Sequence, residues 1–296
     1  MHDLERYRAL VDSRPTRFGE AVNRYLGAVG HRPEQPVAMP ARAGEVIGVV
    51  LVGADESPAS YSAVDHAAIE AELRGWDLRI LHVQRSGGRQ QTTRETGARL
   101  LERLAARVHA CSPSVAVTRR LAVGSPAHLL LAEGRNATLV VVGHRHGGAG
   151  TAFGLSVGDR VAAQHPGPVL VVRVPGWPPG PGFGERPIVL AAERADLNTP
   201  SAVFALAEAR VRRCDLVVLR AHPDGAAVGR TDTVEGVRVH YRTVPADPVT
   251  ALIDVSNRAA AIVLGRRGAA GSPVALLGSV SRAALQRAYC PVFLVD

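Results

Sequence analysis

The chain has 296 residues, 46% of them hydrophobic and 21% charged, with a mean hydropathy of +0.05 and a net charge of +8. That composition describes a globular chain of about two domains and excludes a disordered one, and no apolar run reaches the roughly 18 residues of a membrane-spanning helix. The positive charge is all arginine; it is scattered, and aromatic residues are only 4%, which argues against stacking on single-stranded nucleic acid.

Residues 1–44 form an N-terminal arm, with helical patterns around Leu4–Val11 and Phe18–Val29 and a proline-punctuated, extended stretch from His31 to Pro40. It reads as a packing or docking segment. The start, Met1 to Arg6, lacks the apolar core of a leader peptide. Glu45 to Gly53 is a continuous apolar run suited to a parallel strand buried on both faces. Ser57-Pro58 then supplies a cap and a first helical residue, and Gly75 a stop. Strand Leu78–Val83, an amphipathic helix Thr93–His109 and a strand near Val115–Leu121 follow. After them come a helix from Ser125-Pro126 to about Glu133, strand Ala137–Val142, a helix near Val157–Gln164 and strand Pro168–Val172. Strands alternating with helices predict right-handed crossovers and a doubly wound parallel sheet.

Residues 175–185, rich in proline and glycine, form a domain linker. The rest repeats the first unit. Ile188–Glu193 corresponds to the first strand and its end, Asp215–Leu219 to the second strand, Ile262–Gly265 to Val140–Gly143, and Cys290–Val295 to Gly167–Val172. The spacing between the repeats is not constant: Asp55 and Glu193 lie farther apart along the chain than Gly143 and Gly265 do. The second unit has therefore lost a stretch between its second and third strands, about as long as the Thr93–His109 helix. Pro223–Glu235, which remains, has no apolar period and reads as a truncated crossover.

The densest chemistry lies in Gly265-Arg266-Arg267-Gly268, nine residues, then Gly278-Ser279-Val280-Ser281. An apolar strand precedes it and a helix start follows. Glycines allow close approach of the backbone, and unpaired first-turn N–H groups favour an anion. A Walker loop is closed off, because the chain contains no lysine.

That spacing resembles the phosphate and ribose loop of nucleotide-binding universal stress proteins, and the resemblance covers Val46 to Val295 as a tandem pair. It implies an α/β fold of two five-stranded parallel sheets in the order 3-2-1-4-5, like the adenine nucleotide alpha hydrolases, over residues 45–174 and 186–296, the second lacking one crossover helix. It also implies a protein, read from its sparse, unpaired cysteines as cytoplasmic, that binds ATP or a related adenine nucleotide, accompanied by Mg2+, as a stress-response sensing module. The residues it assigns in the second domain are Ala191, Glu193, Ala221, Gly265, Arg267, Gly268, Gly278, Ser279, Val280 and Ser281. Weaker counterparts in the first domain are Asp55, Val83, Gly143, Arg145 and Ser156. There the loop departs from the pattern: His146 stands for the second glycine and Leu155-Ser156 for Gly-Ser. In the second domain Glu193 replaces the family's Asp. The short apolar strands 169–172 and 292–295 read as sheet edges, which the resemblance implies pair the two domains with each other or join a homo-oligomer.

Cys111, Cys214 and Cys290 form no Cys-x-x-Cys pair and read as reduced thiols. His144 and His146, without a neighbouring carboxylate or thiol, are assigned no metal. No nucleophile–base signature is present, so no catalytic residue is assigned and any ATP hydrolysis is expected to be slow. The alternative reading is a scaffold or dimerisation module of the same fold that binds no nucleotide.

Overall fold

Runs such as Val50-Leu51-Val52 have no polar face to offer water, so they must be covered on both sides. The computed structural model, which describes residues 17–30, 48–84, 90–144, 156–173, 185–266 and 277–296, provides that cover. Helix α1 (Arg17–Gly30) precedes β1 (Val49–Gly53), α2 (Pro58–Arg74), β2 (Asp77–Gln84), α3 (Gln90–Cys111) and β3 (Val117–Val123). Helix α4 (Pro126–Gly134), β4 (Leu139–His144), α5 (Val157–Gln164) and β5 (Val169–Arg173) complete the first half. The second half contains β6 (Ile188–Ala191), α6 (Pro200–Arg212), β7 (Leu216–Ala221), β8 (Val228–Val234), β9 (Val237–Val244), α7 (Pro248–Ser256), β10 (Ala261–Gly265), α8 (Ser279–Arg287) and β11 (Val292–Val295). The Leu4–Val11 pattern, the extended 31–40 stretch and most of the 175–185 linker lie outside the described residues.

The strands form one sheet in the order β3-β2-β1-β4-β5-β11-β10-β6-β7-β9-β8. Its first five have the expected 3-2-1-4-5 order, and β11-β10-β6-β7-β9 repeats that order in reverse. The halves meet where β5 and β11 run antiparallel, with Leu170 opposite Phe293. Of the two pairings expected of strands 169–172 and 292–295, this is the one between the domains. Their main-chain groups bond each other within the chain, so neither strand offers an edge to a second copy. Helices α1, α2, α3 and α6 cover one face of the sheet. Helices α4, α5, α7 and α8 cover the other. Alternate residues of β1 supply the two cores, Val50 and Val52 one and Leu51 the other.

As the shortened spacing predicts, no crossover helix lies between β7 and β9. The stretch read as a bare crossover instead contains β8, which pairs antiparallel with β9 from Val228–Thr243 to Val234–Val237. Its turn has Glu235 at φ 48° and Gly236 at φ 80°, the left-handed pair of a two-residue hairpin. Being an outer strand with polar faces, β8 carries no apolar alternation for a sequence pattern to show. Arg230 stacks 3.7 Å from the Tyr241 ring centroid, and Arg210 pairs with Glu235, on the side of the sheet that α3 covers in the first half.

Beside the central β5–β11 pair, Glu70 and Arg74 of α2 meet Glu208 and Arg212 of α6. Each arginine pairs with both glutamates: Arg74 with Glu70 at 2.5 Å and with Glu208, Arg212 with Glu208 at 3.2 Å and with Glu70. Glu70, Glu208 and Arg212 are essentially excluded from water. Burial works against the Arg74 charge, but the two carboxylates outweigh it and hold its pKa above the ordinary value. Arg212 also lies 4.0 Å from the ring centroid of Phe18, which α1 inserts here. With Tyr25 bonded to Ser112 and Arg24 to the Cys111 carbonyl, α1 is a packing segment.

Candidate functional site

In the second half the site is built at the C-terminal ends of β6, β7 and β10. Adjacent strands β6 and β10 lead to helices on opposite faces, and an open α/β sheet forms a crevice at such a switch point. Ala191 and Ala221 end β6 and β7 half-buried, and Gly265 ends β10. The carbonyl of Arg266 accepts the N–H of Gly278 at 3.0 Å, closing the base of the intervening loop. Gly278 is the N-cap of α8, with no side-chain cap bond and no acid in the first turn. Ser281 is buried, and its Oγ donates to the Gly265 carbonyl at 2.8 Å, fixing the helix start to the strand end. Ser279 and Val280 complete a first turn whose N–H groups have no carbonyl one turn earlier to bond. Arg267 and Gly268 lie outside the described residues.

Glu193 is exposed just beyond β6, and its carbonyl accepts from Arg220 Nε at 3.2 Å. Helix α6 has 13 residues against 17 in α2 and starts one turn later, at Thr199-Pro200. The loop carrying Glu193 is longer by that turn.

The first half treats the same positions differently. Asp55 Oδ1 accepts from the Ser57 N–H at 2.8 Å and from Ser60 Oγ at 2.7 Å, so its carboxylate organises the start of α2. Val83 is half-buried near the end of β2. Gly143 lies against α2: a Cβ there would come within 2.7 Å of the Ala59 carbonyl oxygen. Ser156 caps α5 in a capping box with Asp159, Oγ accepting from the Asp159 N–H at 3.1 Å and donating to its carboxylate at 2.7 Å. His144 Nε2 lies 3.3 Å from the other Asp159 oxygen. Burial pushes the Asp159 carboxyl up, but hydrogen bonds from His144 and Ser156 outweigh it and hold the pKa below the ordinary value. At the start of α5, therefore, Ser156 and Asp159 satisfy each other, whereas the first turn of α8 has neither an acid nor a side-chain cap. Arg145 and His146 lie outside the described residues.

The sequence profile of the universal stress protein family matches twice, over residues 47–173 and 206–296. The chain belongs to the universal stress protein family. A Mycolicibacterium smegmatis universal stress protein is 44% identical over 133 residues, 42% of this chain and 45% of the relative. A Mycobacterium tuberculosis H37Rv universal stress protein is 25% identical over 300 residues, 83% of this chain and 94% of the relative. In the crystal structure of a universal stress protein from Archaeoglobus fulgidus, the match covers 84% of this chain and 98% of that one, with a TM-score of 0.67 at 18% identity.

Within this universal stress protein, the roles of two residues at the helix starts, Asp159 and Arg266, escaped the sequence reading. Asp159 was legible in principle, because Ser156-Val157-Gly158-Asp159 has capping-box spacing. The direction of Arg266 was not, since nothing local distinguishes it from Arg267. Burial pushes the thiols of Cys214 and Cys290 up to about 11 and about 12, so neither is a thiolate at neutral pH. A cleft of about 430 Å³ lined by Arg79, Arg120, Glu133 and Asn136 lies on the outer strands β2 and β3, away from the switch point. Among the described residues, no helix is long and apolar enough to cross a membrane.

Proposed function

We propose that this universal stress protein binds ATP or a related adenine nucleotide in its second half, with Mg2+ on the phosphates, and serves as a regulatory module rather than an enzyme. The observation that supports this most is the contrast between two equivalent helix starts. Asp159 sits in the first turn of α5, whereas the first turn of α8 has neither an acid nor a side-chain cap. Main-chain donors backed by a helix dipole favour phosphate oxygens, and glycines leave room for them. In this reading the main-chain N–H groups of Ser279, Val280 and Ser281, with Gly265, Arg267, Gly268 and Gly278, hold ribose and phosphates. Ala191, Glu193 and Ala221 line the adenosine side. Asp55 and Ser156 already hold internal bonds, so the first-half set, with Val83, Gly143 and Arg145, does not enter the proposal. No general base is assigned, and phosphoryl transfer to water would be slow.

The test is to denature freshly purified protein and identify the small molecules released, then to follow the thermal shift given by millimolar ATP. About one adenine nucleotide per chain, or an ATP-dependent shift lost in Gly278→Leu, supports the reading. A second reading, a scaffold that binds no nucleotide, is favoured by the exposure of Glu193 on its lengthened loop. Absence of both nucleotide and shift would establish it.

A further inference from the structure

A guanidinium in a glycine loop is, on chemistry alone, a partner for phosphate. Arg266 turns the other way. It is 2% exposed, and its Nε donates to the Ala162 carbonyl at 2.8 Å. A second nitrogen donates to the Gly167 carbonyl, and the third lies 3.1 Å from Asp296 Oδ2. Ala162 is in α5, and Gly167 is in the turn between α5 and β5, so both carbonyl partners belong to the first half. The main chain of the same residue closes the loop base by accepting from Gly278, the N-cap of α8. One residue therefore sets where α8 begins relative to β10 and ties that point to the opposite half.

We infer that Arg266 is a positioning residue for the anion site at α8, and that it makes the affinity of the second half depend on α5 of the first. The inference rests on the proposed nucleotide-binding reading. A site made of main-chain donors works only when those donors are in place before the ligand arrives, within about 0.5 Å of the productive geometry. Arg266 supplies that placement without touching the ligand. Its guanidinium is held by carbonyls of the first half, so loosening that anchor lets Gly278 and the first turn of α8 drift away from Gly265. An arginine is suited to the task, because its planar fork bonds several oxygens at once while a lysine bonds them only as a point charge.

The test compares the full-length protein with Arg266→Ala, Arg266→Lys and, as a control for simple destabilisation, Arg107→Gln. Arg107 pairs with Asp65 at 2.6 Å in the first half, away from both α5 and α8. ATP affinity is measured by calorimetry. Hydrogen exchange is measured without nucleotide at the amides of Gly278 and Arg282, the second of which donates to the Gly278 carbonyl at 2.9 Å. Arg266→Ala is expected to weaken ATP binding by about tenfold or more and to speed exchange at both amides, since misplacement by about 1 Å has effects of this order. Arg266→Lys should fall between it and the wild type, and is read alone if the alanine variant does not fold. Arg107→Gln should lower the melting temperature while leaving affinity and exchange unchanged. Wild-type affinity in the Arg266 variants overturns the positioning role, as does an equal loss in Arg107→Gln. If the wild type itself binds no ATP, the binding reading fails. The exchange data then decide the positioning role: unchanged exchange at Gly278 overturns it and faster exchange upholds it.

Discussion

Glu70 and Glu208 occupy equivalent positions in the two halves and share the same two guanidiniums, those of Arg74 and Arg212, which are equivalent to each other in turn. The four charges form a closed set across the junction of the two halves. Removing one glutamate leaves an uncompensated buried cation, at a cost of about 3–5 kcal/mol. Urea denaturation of Glu208→Ala should show that loss. Replacing all four residues by leucine or methionine should restore most of it, because a buried ion set costs desolvation that an apolar one does not.

The Asp159 carboxylate is stabilised in the folded state, so its pKa there lies below the unfolded value. Its contribution is therefore present above the unfolded pKa, about 3.9, and is lost as pH falls through the lower folded value. Asp159→Ala should cost about 1 kcal/mol at pH 7, as loss of a helix cap does. Melting curves of the two proteins from pH 7 to pH 2 should converge at the acid end.

His165 shifts in the same direction for the opposite reason, because its neutral form is the one the fold favours. It is 2% exposed, and burial, with Arg266 nearby, pushes its imidazole down to about 4. The unfolded chain then binds the proton first, so stability falls as pH drops from about 6.5 and the loss is complete below about 4. A shift of that size corresponds to about 3 kcal/mol. His165→Leu should flatten this part of the stability–pH curve, measured by chemical denaturation at fixed temperature.

Gly143→Ala should destabilise the protein by about 1–3 kcal/mol, because its Cβ would press on the Ala59 carbonyl and backbone rather than a side chain would have to move. Calorimetric melting checks this. The change should not alter nucleotide affinity if the second half is the binding half.

The sequence made most of the architecture legible, because the signals were local and repeated. Ser57-Pro58 begins α2, Val157–Gln164 is α5 residue for residue, and the shortened spacing between the repeats marked the missing crossover helix. What it concealed depends on pairing at a distance. Strand β8 is an outer strand with polar faces, so burial never imprinted an alternation on Val228–Val234. The charged set spans two helices, and each Glu-x-x-x-Arg reads alone as an ordinary exposed helical pair. At the site, glycine spacing located the loop and helix start. The differing fates of Asp55 and Glu193 depend on where each following helix begins, which the shared Ser/Thr-Pro signal does not place relative to the strand.

The antiparallel join of β5 to β11 also shapes how this molecule varies. In a dimer of identical subunits every substitution appears twice, once on each side of the axis, so neither side can specialise alone. Here the two sides are encoded separately. One has a crossover helix and a capping box at the start of α5, while the other has no such helix and no side-chain cap at the start of α8. Fusing the halves into one chain frees each copy to change without its twin.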